Sequence, residues 1–274
     1  MKMARMFKIS IMTVMLLLIA ASAVSAQSIE GIDNKLASYL DRIEYWSAHN
    51  GKDTMAGKGD SLVSINSDLA TYIKHICLKM QPAVLRSLPK AEKKGLTVIV
   101  SDDDKLLLCS WDTKMGSSMR YYDNIAQYST GKELKVVHMR DPSIDGDYGS
   151  DYMSITTIHA KNNKAVYLVQ DYCVLSMEDR SESIIAYIIE GGVLKTSGMF
   201  KTRTQLLDNI ECSYDAFSSM DKYPGKDIAR IHLSDDNQKL YIPIVNGKYG
   251  DVLTNRYLVY VFDGDKFVFN KNAK

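Results

Sequence analysis

The chain has 274 residues, of which 46% are hydrophobic and 24% charged, and its formal net charge is +1. This hydrophobic content is typical of a folded globular protein and excludes a fully disordered chain. The near-neutral charge argues against a nucleic-acid partner, because binding to phosphates requires a basic surface.

The N-terminus has the organisation of an export signal. Lys2, Arg5 and Lys8 form a basic start, residues 9–20 are almost all apolar, and small residues lead to Ala26, the predicted cleavage point. A membrane-spanning helix needs about 20 apolar residues, and this run is shorter. We therefore predict a periplasmic or secreted protein that is soluble after cleavage and keeps no membrane span. Cleavage removes three basic residues and no acidic one, so the net charge becomes −2.

Residues 27–94 are predicted to be helical. Apolar residues recur every three or four positions over residues 32–46 and again over residues 62–80. Asp60 and Ser61 are predicted to cap the second helix. This explains the Gly-Asp-Ser-Leu sequence better than an esterase nucleophile does, since no His follows an Asp at the spacing which that chemistry requires. Each helix has one apolar face that must pack on the other helix or on a sheet.

From residue 95 to 274 the chain is rich in Val, Ile, Tyr and Thr and repeats one pattern three times. The units at about 96–137, 154–199 and 229–269 each contain four strand-like runs. We predict an α+β fold, mainly β, in which an N-terminal helical segment precedes repeated four-stranded antiparallel meanders. An irregular propeller-like arrangement and a curved sheet or sandwich both fit this pattern. Between the last two units, the stretch from 201 to 227 fits another strand or a short helix.

The turns of these units carry residues that tolerate a left-handed backbone or supply positive φ. Each unit has an Asp or Asn pair between its first two strands and glycine before its last strand. These residues are Asp103-Asp104, Asn162-Asn163 and Asp236-Asn237, followed by Gly131, Gly191-Gly192 and Gly264.

Four cysteines follow the signal, namely Cys77, Cys109, Cys173 and Cys212. An exported protein can form disulfides, and four cysteines allow three pairings that the sequence does not rank. Cys77 lies on an apolar helical stripe and Cys109 in a strand-like run, which favours buried thiols at both positions. No Cys or His spacing predicts a metal site, and no motif predicts a cofactor.

Three stretches resemble a known kind of protein: SAQS at the end of the signal, SDDDKLLLCSWDT, and KLYIPIVNGKYGDVLTNRYLVYVFDGDKF near the C-terminus. They are similar to uncharacterised secreted β-meander proteins of Bacteroidetes-type bacteria, over most of the mature chain. The resemblance implies an envelope location in a Gram-negative cell. It implies no activity and no site residue.

One cluster has the chemistry of a recognition site. Trp111, Asp112, Arg120, Tyr121 and Tyr122 flank a Gly-Ser loop between the second and third strands of the first unit. Ring faces, a carboxylate and a guanidinium beside such a loop suit the binding of a protein or glycan.

Two other patterns are better explained without a ligand. Asp145, Asp147 and Asp151 form an acidic loop, but Thr156 stands where a calcium loop needs its bidentate Glu. His159 and His232 occupy similar places in their units, yet no third ligand is indicated, so structural histidines are favoured.

The sequence therefore predicts a non-enzymatic binding or interaction protein of the envelope, with an unidentified protein or glycan as its partner. The alternative is a secreted hydrolase acting on glycan or peptide, because glycosidase chemistry needs only two carboxylates at a suitable separation. A structural envelope component without a small ligand is a third interpretation.

Overall fold

The computed structural model describes residues 29–48, 55–139, 147–161, 163–222, 230–247 and 251–272. The predicted export signal, residues 1–26, lies outside them. Among the helices of the described ranges, none is long and apolar enough to cross a membrane.

Helices occupy the start of the described chain. α1 covers residues 29–48 and α2 covers Met55–Cys77. A 3-10 turn at Pro82–Leu85 and the short helix α3 at Pro89–Glu92 follow, each beginning with proline at its first position. The predicted cap at Asp60–Ser61 is wrong, because α2 already runs through both residues. Helix propensities of ordinary residues differ by less than about 1 kcal/mol, which is too little for Asp and Ser to end a helix.

Fifteen strands and one further helix make up the rest of the described chain. They are β1 Leu96–Val100, β2 Leu106–Asp112, β3 Tyr122–Ser129, β4 Leu134–His138, β5 Asp151–His159, β6 Ala165–Val174, β7 Asp179–Glu190, β8 Val193–Thr196, β9 Phe200–Lys201, β10 Leu206–Leu207, β11 Asn209–Asp215, α4 Ala216–Lys222, β12 His232–Leu233, β13 Lys239–Asn246, β14 Val252–Phe262 and β15 Phe267–Phe269.

These strands form three sheets, each built on one antiparallel meander. The first sheet is β1 to β4 in chain order, the second contains β5 to β8, and the third contains β12 to β15. The segment between the last two meanders adds β11 to the edge of β7 and adds β9 and β10 beside β15. The predicted fold class, α+β and mainly β with repeated antiparallel meanders, is confirmed. Among the described strands, no sheet closes into a barrel.

The helices and the three sheets stack as four layers. The helices cover one face of the first sheet. Leu36 and Leu69 of the helices form one core with Leu107 and Ile125 of the sheet. The opposite face of the first sheet packs on the second sheet, with a core that includes Leu106, Leu108, Tyr167 and Val169. The second sheet packs in turn on the third, around Leu168, Ile184, Phe200, Leu240 and Phe267. The first two sheets are therefore covered on both faces.

In each predicted turn pair, the second residue has a left-handed backbone. Asp104, Asn163 and Asn237 have φ values of 56°, 58° and 56°. Asp and Asn enter this region readily because their short polar side chains hydrogen-bond to nearby backbone. The three turns therefore end their strands at matching points.

A buried asparagine links the helices to the first sheet. Asn66, on α2, is 5% exposed, and its Oδ1 accepts a hydrogen bond from Nε1 of Trp111 at 2.9 Å. Its Nδ2 donates to the backbone oxygens of Thr113 at 3.0 Å and Leu62 at 2.8 Å. One amide thus satisfies polar groups of both layers inside the apolar core.

We expect Asn66→Asp to lower the free energy of unfolding by about 3 kcal/mol at neutral pH, because a carboxylate donates no hydrogen bond and would be buried. Urea unfolding followed by tryptophan fluorescence measures this loss. Asn34→Asp, at an exposed position of α1, is the matched control and should change stability by less than about 0.5 kcal/mol. Equal effects of the two substitutions would show that the Asn66 link contributes little.

Candidate functional site

The face of the second sheet that meets the first changes from apolar to polar along its strands. On β6, Tyr167 and Val169 belong to the core between these two sheets. Side chains alternate between faces along a strand, so Asp171 and Cys173 point to the same side as Val169. The sheets are thus held together by apolar contacts at one end and leave polar groups at the other.

The segment 147–152 joins the two sheets at this polar end. The backbone N–H of Tyr122 donates to the oxygen of Tyr148 at 2.8 Å. The side-chain amide of Asn124 forms two hydrogen bonds with Ser150. Its Nδ2 donates to the backbone oxygen of Ser150 at 2.6 Å, and its Oδ1 accepts from the backbone N–H of Ser150 at 3.1 Å. These bonds attach a short stretch of backbone to β3, and the same stretch then continues into β5.

Gly149 is required for this close approach. Its φ is +61°, and a Cβ added there would lie 2.2 Å from the backbone oxygen of Tyr122 and 2.4 Å from Oδ1 of Asn124. Atoms cannot approach so closely without a shift of the backbone. The segment therefore keeps its place on the first sheet only with glycine at this position.

An open cavity of about 480 Å³ lies between the segment, the first sheet and the second sheet. Such a volume lies within the range of small-ligand sites. The lining combines carboxyl groups, serine hydroxyls and tyrosine rings. Its polar floor includes Asp171, Glu211, Ser150, Ser181 and Ser183.

Asp171, Ser183 and Glu211 form one row across three neighbouring strands. Asp171 pairs with Ser183 between β6 and β7, and Ser183 pairs with Glu211 between β7 and β11. Because strands are about 4.8 Å apart, the Cα atoms of the two acidic residues lie roughly 10 Å from each other. This carboxyl row opens onto the cavity.

Serine hydroxyls bind both carboxyl groups of the row. Ser183 Oγ donates to Asp171 Oδ1 at 2.5 Å, and Ser150 Oγ donates to Asp171 Oδ2 at 2.8 Å. Glu211 Oε1 accepts from Ser181 Oγ at 2.7 Å and from Ser213 Oγ at 3.2 Å. Each of the four serine hydroxyls therefore lies within hydrogen-bond distance of a carboxylate, and Ser213 Oγ also lies 3.3 Å from Ser181 Oγ.

The environment of Asp171 disfavours its charged form. Asp171 is 7% exposed. Burial raises the pKa of its carboxyl and the nearby Glu211 charge adds to this, while the hydroxyls of Ser183 and Ser150 act in the opposite direction. Burial also raises the pKa of the Cys173 thiol to about 12, so this thiol is protonated at neutral pH. It donates to the backbone oxygen of Gly149 at 3.3 Å.

On the opposite face of the second sheet, the buried carboxylate of Glu182 has a different set of partners from that of Asp171. Glu182 Oε1 lies 3.2 Å from Arg230 Nη1 and accepts from the Tyr214 hydroxyl at 2.9 Å. Glu182 Oε2 accepts from the backbone N–H of Ile231 at 3.3 Å. A cation of the chain therefore accompanies Glu182, whereas hydroxyl groups accompany Asp171.

The structure brings together three of the five site residues predicted from the sequence. Asp112, Arg120 and Tyr122 line a smaller cavity of about 190 Å³. Arg120 Nε lies 3.8 Å from Asp112 Oδ2, and a hydrogen bond with Tyr122 raises the pKa of the Arg120 guanidinium. Lys114 Nζ also lies 3.5 Å from Asp112. Charges of the chain thus balance one another in this recess.

The other two predicted residues lie apart from that recess. Trp111 is 1% exposed and lies in the core beneath the helices, bonded to Asn66. Tyr121 packs its ring on Tyr148, with centroids 5.7 Å apart. Tyr121 therefore contacts the segment that also borders the larger cavity.

Sequence reasoning missed the carboxyl row. The available signal was polar residues two positions apart in strand-like runs, as in Ser181-x-Ser183 and Glu211-x-Ser213. The same alternation is typical of a strand face exposed to solvent. Only the pairing of β11 with β7 brings Glu211 next to Ser183 and Asp171.

The remaining candidate sites are the acidic loop, the two histidines and the cysteines. In the part of the chain that the structure describes, no group of three His, Cys, Asp or Glu side chains could hold a metal ion. Asp145 of the acidic loop lies outside the described residues, and His232 stacks on Tyr241 with centroids 4.7 Å apart. All four cysteines are free thiols in the structure.

Comparisons with protein-family models, with curated proteins and with solved structures found no match.

We expect Gly149→Ala to lower the free energy of unfolding by about 3 kcal/mol, because it combines a left-handed backbone with a clash against β3. Gly131→Ala is the matched control. Gly131 also has positive φ, +81°, but an added Cβ would meet nothing within 4 Å, so its loss should be about 1 kcal/mol. Urea unfolding of both variants checks the difference, and similar losses would contradict a special fit at Gly149.

Asp171→Asn should change stability in a pH-dependent way. A carboxyl whose pKa is raised above its ordinary value of 3.8 contributes stability below that value, and the contribution is lost as the pH rises through the folded-state pKa. Asparagine carries no charge at any pH. The unfolding free energy of the variant relative to that of the parent should therefore be higher at pH 8 than at pH 3. A difference between variant and parent that is constant with pH would contradict the raised pKa.

Proposed function

We propose that this protein is a non-enzymatic binding protein of the cell envelope that receives a polar group of a protein or glycan partner in the cavity between its first two sheets. One observation carries the proposal: an open cavity of about 480 Å³ has as its floor a hydrogen-bonded carboxyl row in which Asp171 is buried. A buried carboxylate opposes folding. Groups with perturbed pKa values in a cleft are concentrated at functional sites.

The N-terminal sequence supports the location. Residues 1–26 have the three-part pattern of a cleavable signal. The resemblance to secreted proteins of Bacteroidetes-type bacteria supports the same compartment. We therefore assign the mature chain, after cleavage at Ala26, to the periplasm or the exterior of the cell.

The chemistry of the lining favours binding over covalent catalysis. A serine nucleophile needs a base that takes its proton, but the serines of the carboxyl row donate to carboxyl groups. The Cys173 thiol, with a pKa raised to about 12, is a poor nucleophile at neutral pH. The smaller recess at Asp112, Arg120 and Tyr122 would extend the contact with a partner bound across the segment 147–152.

A hydrolase acting on glycan is the second candidate, and the unequal environments of two carboxyls favour it. Asp171 is buried, with a raised pKa, whereas Glu211 is exposed. Glycosidases use such a pair, one carboxyl as acid and the other as base or nucleophile. Both groups open onto one cavity.

Ligand-observed NMR with a panel of sugars, amino acids and short peptides tests the binding function. We expect at least one compound to bind. Ser183→Val, which removes a hydroxyl from the floor and fills space, should weaken this binding at least about tenfold. Ser129→Val, on β3 outside the cavity lining, is the matched control and should not.

The same samples separate the two candidates. Stable spectra over days support a binding protein. Conversion of a glycan or peptide to products, abolished by Asp171→Asn while binding persists, would replace the binding function by the hydrolase. Absence of binding by the whole panel, or binding that Ser183→Val leaves unchanged, would remove the cavity as the site.

A further inference from the structure

We infer that the group received by the cavity is a primary ammonium, as carried by a lysine side chain or an amino sugar. The inference rests on the proposed binding function and specifies its ligand. It follows from the distribution of charge, of hydrogen-bond donors and of aromatic rings in the lining.

The first line of support is the charge of the lining. Asp171 and Glu211 contribute carboxyl groups, and none of the described lining residues is Lys, Arg or His. On the opposite face of the same sheet, by contrast, Arg230 neutralises the buried carboxylate of Glu182. The cavity is thus an acidic compartment within a nearly neutral protein, and a cationic group offsets its charge most directly.

The second line of support is the hydrogen bonding between the serine hydroxyls and the carboxyl groups. Ser150, Ser181, Ser183 and Ser213 all donate to the two carboxyls of the row. Each hydroxyl has one proton and two lone pairs, and each carboxylate only accepts. The row therefore presents acceptors to the cavity. An ammonium has three donors and no acceptor, which matches this surface, whereas a ligand carboxylate or phosphate would be repelled.

The third line of support is the aromatic part of the lining. Tyr148, Tyr152 and Tyr187 border the same cavity. A cation near the face of a tyrosine ring is attracted by its quadrupole. The volume of about 480 Å³ exceeds the need of an ammonium group alone, so the attached alkyl chain or sugar ring also enters.

Two matched probe pairs test this inference by isothermal titration calorimetry. Glucosamine is compared with N-acetylglucosamine. The peptide acetyl-Gly-Lys-Gly-amide is compared with its Nζ-acetylated form. We expect at least one amine to bind about tenfold or more tightly than its acetylated partner, and the pair that responds identifies the source as amino sugar or lysine.

Variants locate the interaction. Asp171→Asn and Glu211→Gln should each weaken binding of the amine about tenfold or more. Glu133→Gln, at an exposed glutamate outside the lining, should leave the affinity unchanged. Folding of each variant is checked by its thermal unfolding temperature, so loss of binding in a folded variant is decisive.

The outcomes also separate this inference from the proposed function. An acetylated probe that binds as tightly as its amine, or an amine whose affinity survives both substitutions, would overturn the ammonium assignment and leave a binding protein. If none of the four probes binds while a neutral compound of the larger panel does, the assignment fails again. If neither set yields a ligand, the assignment and the proposed binding function both fail.

Discussion

The attachment of segment 147–152 to the first sheet is the constraint on which the rest of the site depends. Asp151 Oδ1 accepts hydrogen bonds from Thr97 and Ser110 at 2.8 Å each, and Ser110 Oγ accepts the backbone N–H of Tyr152 at 3.1 Å. Side chains of β1 and β2 thus bind the first residues of β5. Because β5 belongs to the second sheet, these bonds set how far the two sheets separate at their polar end, and hence the width of the cavity.

The second sheet combines two different solutions for buried charge. On one face an arginine accompanies Glu182, and the layer beneath is closed by apolar residues of the third sheet. On the other face hydroxyls accompany Asp171, and the neighbouring layer leaves space. A hydroxyl satisfies a lone pair but brings no charge, so only the second arrangement leaves an electrostatic demand for a ligand to meet.

Local sequence pattern predicts the helices and turns better than it predicts which side chains line a site. Helical spacing identified the buried stripe that includes Leu36 and Leu69, and turn chemistry identified Asp104 and Asn237, because these features depend on residues close in sequence. Trp111 flanks the Gly-Ser loop, and this position alone suggested a binding surface. In the structure all of β2 except Asp112 is buried, so polar alternation along this strand does not show which core Trp111 joins. The carboxyl row depends on strand pairing between distant segments, which no local pattern encodes.

The strands that end the third sheet bear on how the protein behaves at high concentration. Its two outermost strands, β10 and β12, are only two residues long. Each of these two strands by itself offers another chain few unpaired backbone groups, so it is a poor template for joining sheets between molecules. The short length of the two edge strands thereby limits polymerisation through them. Neither strand contains a proline or a charged gatekeeper residue.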